Sequence, residues 1–595
     1  MTDRAYALGT WDLKDLIPAK SGPEMESVVG ELERAVEAFA SCRDDLDPSI
    51  DAAAFVSILQ QIERIRYSVV RLNGFATLWL SEQTSDQTAL AFRGRVDRLL
   101  ADVRNRTLFF ELWWKQLDSD NSARLIEASG DVRYYLESLR RMAPYTRTEA
   151  EEKIINLKDV HGVQALGSLY DMIANDLTFD VTIDGEKKTL TRPELSVYYR
   201  DPSPDNRAAA YQALHGTFGE HANVLGQIYN HIAGDWNDEN VALRGMATPI
   251  SARNLRNDLP DDVVDVLLET CRKNASAFHR YFRLKAGWLG IDRLRRYDIY
   301  APIPSETIKT REVSFEDAVA WTLESMRGFS PEMAEMAERV LASNHLHSKV
   351  QRGKDSGAFC FGVVPDRAPW VLVNFTGRMD DAMTLAHELG HAVHSMLAAD
   401  HSVLTFRSSL PLAETASNFA EILLLKRMLE SEPDADVRRG LLAEFVDGSF
   451  ASILRQVYFV LFEREAHALI AAEGATVDQL ADRYMENLRE QFADSVELYD
   501  EFRWEWVSVP HIYQVPFYCY AYAFGLLLVL GLYRQYEKEG EAFVPRYLKI
   551  LSHGGSKAPM EIVDEAGFDI RTEAFWQGGF DVIGEMIDEL ERGGG

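Results

Sequence analysis

A chain of 595 residues is longer than one hydrophobic core usually supports, and its 46% hydrophobic content is enough to fill at least two lobes. The 93 acidic against 63 basic side chains give a net charge of −30, which repels phosphate backbones and anionic headgroups and argues against nucleic acid as a partner. Four scattered cysteines, Cys42, Cys271, Cys360 and Cys519, exclude a disulfide framework or a thiolate metal site and suit a reducing compartment.

The opening stretch MTDRAYALGTWDLKDL lacks a basic segment followed by an apolar one, so no secretory signal is expected and the chain is placed in the cytoplasm. Apolar residues at helical spacing then predict helices over Met25–Ala40, Phe55–Leu80, Leu90–Leu117, Ile154–Ile173, Ala208–Val241 and Val263–Leu289. Ser203 before Pro204 reads as a helix start, with the hydroxyl capping free N–H groups and Pro sitting where its missing donor does no harm. Strand signals are few. Phe179–Ile183 and Lys188–Thr191 flank the turn pair Asp184-Gly185, and Trp370–Phe375 is short and β-branched. The expected fold is mainly α with small β-sheets, divided near Arg200 into a helical N-terminal lobe, 1–200, and a catalytic part, 201–595.

After an irregular stretch from Gly353 to Thr376, the helical pattern resumes at Asp380 and Asp381, whose charges suit a helix N-terminus. On this helix stands His387-Glu388-Leu389-Gly390-His391, an HExxH pattern. Positions four apart point the same way one turn along, so His387 and His391 can share one tetrahedral zinc ion. Glu388 projects from the flank, within reach of a metal-bound water that it could deprotonate without ligating the metal. Gly390 costs about 1 kcal/mol inside a helix, and the expected compensation is the close approach of a neighbouring helix. His394 lies on the same face two turns on and is assigned to packing or to support of the ligands.

A catalytic zinc needs a third protein ligand. The histidine that some such sites use would fall at position 397, which is Leu. The segment Leu410–Leu425 is apolar except for Glu414, Asn418 and Glu421, one polar stripe on a helix, and a carboxylate among apolar neighbours calls for a metal or a partner charge. Glu414 is favoured as the ligand, with Glu421 accepting the free ring N–H of a zinc histidine. Exchanged roles for the two glutamates, or a stripe facing solvent, remain as alternatives.

The uncharged run Val515–Tyr533 is long enough to span a bilayer, but its tyrosines, glycines and proline favour a buried core helix with one wet side. Overlapping it, residues 511–522 read HIYQVPFYCYAY. Such a stretch can supply His N–H and Tyr O–H donors to the oxyanion of amide hydrolysis, or can be an aromatic core.

At this point the sequence resembles oligoendopeptidase F within the thimet oligopeptidase family of zinc metallopeptidases. The motifs that carry the likeness are the run from Asp380 through His387, Glu388 and His391 to Ser395, the Ala413-Glu414-Thr415-Ala416-Ser417 block, and His511 with Tyr513, Phe517, Tyr518, Tyr520 and Tyr522. The resemblance covers most of the chain. It implies one zinc ion on His387, His391 and Glu414, a gluzincin set, with Glu388 as base and acid. It also implies oxyanion stabilisation by His511 and one tyrosine of the 518–522 group, for which Tyr518 and Tyr520 are the candidates. The implied fold is a two-lobed helical zincin with a deep channel admitting short peptides, and by analogy the Trp370–Phe375 strand binds substrate by pairing with it.

Endopeptidase action on short peptides is therefore the expected function. A dipeptidyl carboxypeptidase would need a cationic clamp for the substrate C-terminus, and no motif assigns one. A non-catalytic zinc-containing peptide-binding protein has no use for Glu388 between the histidines. Oligomeric state is not encoded in any motif.

Overall fold

The structure is a computed structural model that describes residues 6–303 and 312–593. It divides into two compact units. Unit 1 comprises Met1–Ala143, Arg311–Ser431 and Gln535–Phe568, and unit 2 comprises Pro144–Thr310, Glu432–Arg534 and Asp569–Gly595. The chain thus passes back and forth between the units, and position 200 falls within unit 2 rather than at a passage.

Helices dominate, as their apolar spacing predicts. Pro23–Ala40, Ala52–Glu82 and Gln87–Gln116 form the N-terminal array of unit 1. Asp51 and Asp86 cap the second and third by accepting their first free N–H groups. Their buried faces meet in one core with Phe55, Leu72, Phe75 and Trp114 at its centre. Trp114 is fully buried, stacks at 5.5 Å on Phe55, and donates its indole N–H to the Leu136 carbonyl at 2.9 Å. Each such large apolar side chain contributes about 1.5–3 kcal/mol.

In unit 2 the long helix Pro204–Asn237 starts at Ser203, whose hydroxyl accepts the Asn206 N–H. Two of the expected helices are each split: Glu149–His161 and Val163–Asp176 meet at Gly162, and Asp261–Lys273 and Ala275–Trp288 at Asn274. The hairpin Thr178–Ile183 and Glu186–Thr191 turns through Asp184 and Gly185, both at positive φ, which is the two-residue turn that the Asp-Gly pair encodes.

Val515–Tyr533 contributes most of the helix Tyr520–Glu539, in which Tyr520, Phe524, Leu527, Leu528 and Leu530 are fully buried while Tyr522 is exposed. It is a core helix with one wet side. Among the described residues a different helix, Ala435–Ala472, is the one long and apolar enough to cross a membrane, and 56% of its apolar stretch is buried in the protein.

Unit 1 also holds a three-stranded sheet in the order Leu346–His347, Trp370–Leu372, Phe359–Phe361. The central strand is parallel to the first and antiparallel to the last. This corrects the expectation for Trp370–Phe375. Val371, Val373 and Phe375 donate their N–H groups to His345, His347 and Ser348, so that strand has neighbours on both sides and no free edge for a peptide. The edge strands are Leu346–His347 and Phe359–Phe361.

Candidate metal centre

The helix Met379–Leu397 begins where Asp381 accepts the N–H groups of Thr376 at 2.7 Å and Arg378 at 3.0 Å. Its apolar face, with Leu385, Ala386, Leu389 and Val393, is buried. Two glycines set how closely its neighbours approach. A Cβ on Gly390 would lie 2.6 Å from the Ala416 carbonyl oxygen and 2.7 Å from Ser417 Cα, so the helix Thr415–Ser431 presses directly on this position. On the sheet side, a Cβ on Gly362 would lie 2.6 Å from Ser395 Oγ. The cost of a glycine inside this unbroken helix is therefore offset by the close approach that its presence suggested.

Glu414 differs slightly from expectation. It stands in a turn after the short helical turn Leu410–Leu412 and immediately before Thr415–Ser431, not inside a continuous helix. Its carbonyl takes the Asn418 N–H, and its side chain is free to reach back toward the histidines. Ser417 Oγ donates to Glu414 Oε2 at 2.7 Å and fixes the carboxylate. Behind it, Tyr547 stacks on Phe419 at 4.2 Å and donates to the Thr415 carbonyl at 3.0 Å.

His387, His391 and Glu414 converge. Nε2 of His387 and Nε2 of His391 are 3.1 Å apart, and Glu414 Oε2 lies 3.4 Å from the first and 3.3 Å from the second. A tetrahedral ion with bonds of 2.0–2.1 Å holds its ligands about 3.3 Å from one another, so the three donors fit one small cation. Glu421 Oε1 receives the other ring nitrogen of His387, Nδ1, at 2.5 Å, which turns Nε2 toward the convergence point.

Electrostatics agree with a cation there. Burial lowers the His387 pKa, but hydrogen bonds to Glu414 and Glu421 outweigh it and lift the ring to about 10. Burial raises Glu414, and its bonds from His387 and His391 overcome that and leave it well below the usual carboxylate range. The site thus attracts positive charge. Glu388 is buried and its Oε2 has no hydrogen-bond partner; burial pushes its pKa up against the pull of His387 and His391. An unpartnered carboxylate oxygen beside the three donors is what a proton-transfer group requires. His394 is buried and is held neutral by desolvation, its pKa lowered to about 4. A cavity of about 450 Å³ joins the donors, Glu388 and the edge strand Phe359–Phe361. That strand was not anticipated, although the run Phe359-Cys360-Phe361 between Gly357 and Gly362 is a short strand signal.

The aromatic segment belongs to unit 2. His511 Nε2 is 3.2 Å from the Tyr522 hydroxyl, the rings of His511 and Tyr518 lie parallel at 6.0 Å, and Tyr518 meets Tyr522 edge-on at 5.4 Å. Tyr520 is a correction. It is fully buried and its hydroxyl takes the Asn257 side-chain N–H at 2.9 Å, so it has no free face for a substrate. Tyr522, in contrast, is exposed and lies against His511 and Tyr518. The phase of this helix is set by Phe517, whose φ of 58° is left-handed, whose N–H goes to the buried Glu463 at 2.7 Å, and whose preceding carbonyl on Pro516 is held by Arg253 at 3.0 Å. A second acidic group in unit 2, Asp159, Asp235 and Glu239, is also compact, but Arg244 already neutralises Glu239 at 2.7 Å.

Comparison with known proteins gives a consistent result. Residues 197–582 match the family model of peptidase family M3, and residues 113–179 match that of oligopeptidase F. Oligopeptidase PepF of Bacillus subtilis is 24% identical over 98% of this chain and 87% of its own. The crystal structure of a protein from Chlamydophila abortus superposes with a TM-score of 0.89 at 22% identity over 98% of both chains. That of oligoendopeptidase-F from Enterococcus faecium does so with a TM-score of 0.69 at 21% identity, over 96% of this chain and 98% of its own. At these identities the structures speak for the fold: mainly helical, with small sheets.

Proposed function

Because the chain belongs to peptidase family M3, we propose that it is a zinc-dependent endopeptidase of the oligoendopeptidase F type that cuts internal bonds of short peptides. The observation behind this reading is the meeting of two imidazoles and one carboxylate at mutual distances of 3.1–3.4 Å beside the unpartnered oxygen of Glu388. His387, His391 and Glu414 would hold one zinc ion, a donor set suited to that metal. The ion supplies Lewis-acid chemistry, acidifying water and polarising the scissile carbonyl.

The remaining work falls to side chains of this chain. Glu388 takes the proton of the attacking water at its free oxygen and returns it to the leaving amine nitrogen. Glu421 holds the His387 ring in the tautomer that presents Nε2. His511 with Tyr518 or Tyr522 donates hydrogen bonds to the developing oxyanion. The substrate backbone pairs with the edge strand Phe359–Phe361, which has a free side, and a substrate-analogue complex without main-chain hydrogen bonds there would dispose of this part. The catalytic portion is assigned to 201–595, in keeping with the family match that begins at 197. The four free cysteines suit a reducing, cytoplasmic setting.

The test is cleavage of a terminally blocked, internally quenched peptide of about ten residues by the wild type and by Glu388→Gln, each with its zinc content measured. Zinc in both proteins and a loss of about 10²–10⁴-fold in kcat for the variant is the expected result. Equal cleavage by both, or purified protein unable to bind zinc, sinks the proposal.

A further inference from the structure

Arg407 lies in the loop between the metal helix and Glu414 and lines the same cavity as His387, Glu388, His391 and Glu414. Its guanidinium sits 5.3 Å from the centre of the Phe361 ring, on the edge strand, and reaches only the Gly362 carbonyl, at 3.5 Å. Among the described residues no carboxylate pairs with it, and the charged group that acts on it is another cation, Arg66. Other arginines of unit 1 do find a carboxylate, as Arg378 does with Asp380 and Arg427 with Glu324.

The loop is also held in place. The Gly555 N–H donates to the Thr405 carbonyl at 2.8 Å, and a Cβ on Gly555 would lie 2.1 Å from the Arg407 carbonyl oxygen, so the backbone of the two loops is in direct contact. A guanidinium with one face against an aromatic ring and a single long hydrogen bond to a carbonyl keeps donors for a carboxylate, which such a group binds through two parallel hydrogen bonds. Arg407 is exposed, so its guanidinium is open to a ligand entering this cavity.

We propose that Arg407 is a specificity residue that binds a carboxylate carried by the peptide substrate near the scissile bond, making acid-bearing peptides the preferred substrates. The inference rests on the peptidase reading above and adds a substrate class to it. Two sources share this chemistry: an Asp or Glu side chain, and the free C-terminus of a peptide. At long range the net charge of −30 disfavours both, so the preference has to be local and to persist at about 0.15 M salt, where fields beyond about 8 Å are screened.

The experiment compares kcat/KM on matched quenched peptides of about ten residues at that salt concentration. One pair differs by Glu against Gln at each position flanking the cut, and one pair by a free against an amidated C-terminus. Wild type and the variants Arg407→Gln and Arg407→Ala are measured on all of them, with circular dichroism to confirm folding. The expected result is a wild-type preference of at least about ten-fold for one carboxylate-bearing peptide, and a ratio close to one in both variants. The pair that shows the preference identifies the source of the carboxylate. A wild type that cuts both members of each pair equally, or a preference that survives in either folded variant, overturns the proposal alone. A wild type that cuts no peptide overturns it together with the peptidase reading.

Discussion

The metal centre in unit 1 and the aromatic cluster in unit 2 are two kinds of site. In the first, three donor atoms converge within 3.4 Å of one another, and two of them are held by a second contact, His387 by Glu421 and Glu414 by Ser417, while the backbone of Ala416 and Ser417 packs against Gly390 beside His391. In the second, the rings of His511, Tyr518 and Tyr522 share one hydrogen bond of 3.2 Å and edge or parallel contacts at 5–6 Å. A point charge demands convergence, so ligands are steadied by contacts beyond the ion. The oxyanion role proposed for the second needs only a donor within reach, which any one of several hydroxyls would supply.

That contrast breaks most readily at the tyrosines. Removing the one hydroxyl that meets the oxyanion is expected to lower kcat by about 10²–10³-fold, and Tyr518→Phe against Tyr522→Phe shows which it is. Tyr520→Phe is the internal control: with its hydroxyl buried on Asn257, it should lose stability rather than turnover. A turnover loss confined to Tyr520→Phe would reverse the assignment. At the metal centre, Glu421→Gln should weaken zinc binding about 10–100-fold while leaving the three donors intact, as read by competition with a chelator. Gly390→Ala sharpens the same point without touching a donor. Its Cβ has no room against Ala416 and Ser417, so a stability loss of about 1–3 kcal/mol in denaturant unfolding should come with weakened metal binding.

The smallest effect concerns Glu463, which holds the Phe517 turn. Burial pushes its carboxyl up to about 8 from an ordinary 4.5, against the pull of the Phe517 N–H. A carboxyl raised in the folded state stabilises below its unfolded pKa, and that stability is lost as pH rises through the folded value. The wild-type Tm should therefore fall relative to that of Glu463→Gln between pH 5 and pH 8, by about 2–4 °C for each kcal/mol involved. Parallel Tm profiles for the two proteins would show that the carboxyl is charged throughout.

What the sequence could reveal follows the same division. His387 and His391 are legible because a helix repeats its direction after four residues, and Glu414 because a carboxylate stands out in the apolar run Leu410–Leu425. Tyr520 and Tyr522 could not be separated, since which of them faces the core depends on the left-handed residue Phe517 in the turn before the helix, and a non-glycine residue at positive φ leaves no mark in the sequence. The role of Trp370–Leu372 was missed for a related reason. A strand can be recognised from its own residues, but whether it is central or at the edge is decided by Leu346–His347, too short a pair to signal. Arg407 stayed unseen because the lack of a partner is a property of the folded surroundings and not of the residue. The breaks at Gly162 and Asn274 were hidden by apolar spacing that runs on through them.

The contact between Tyr547 and Thr415 has a meaning in time as well as in space. The residues that gather at the metal centre lie between 387 and 421, while the side chain that pins the start of the Glu414 helix comes from a segment synthesised more than a hundred residues later. At translation rates of about 5–20 residues per second, the donors wait on the order of ten seconds before that support exists. During that interval the nascent chain carries the ligands of a hydrolytic centre without the packing that aligns them, so the order of synthesis itself delays the moment at which the site can form.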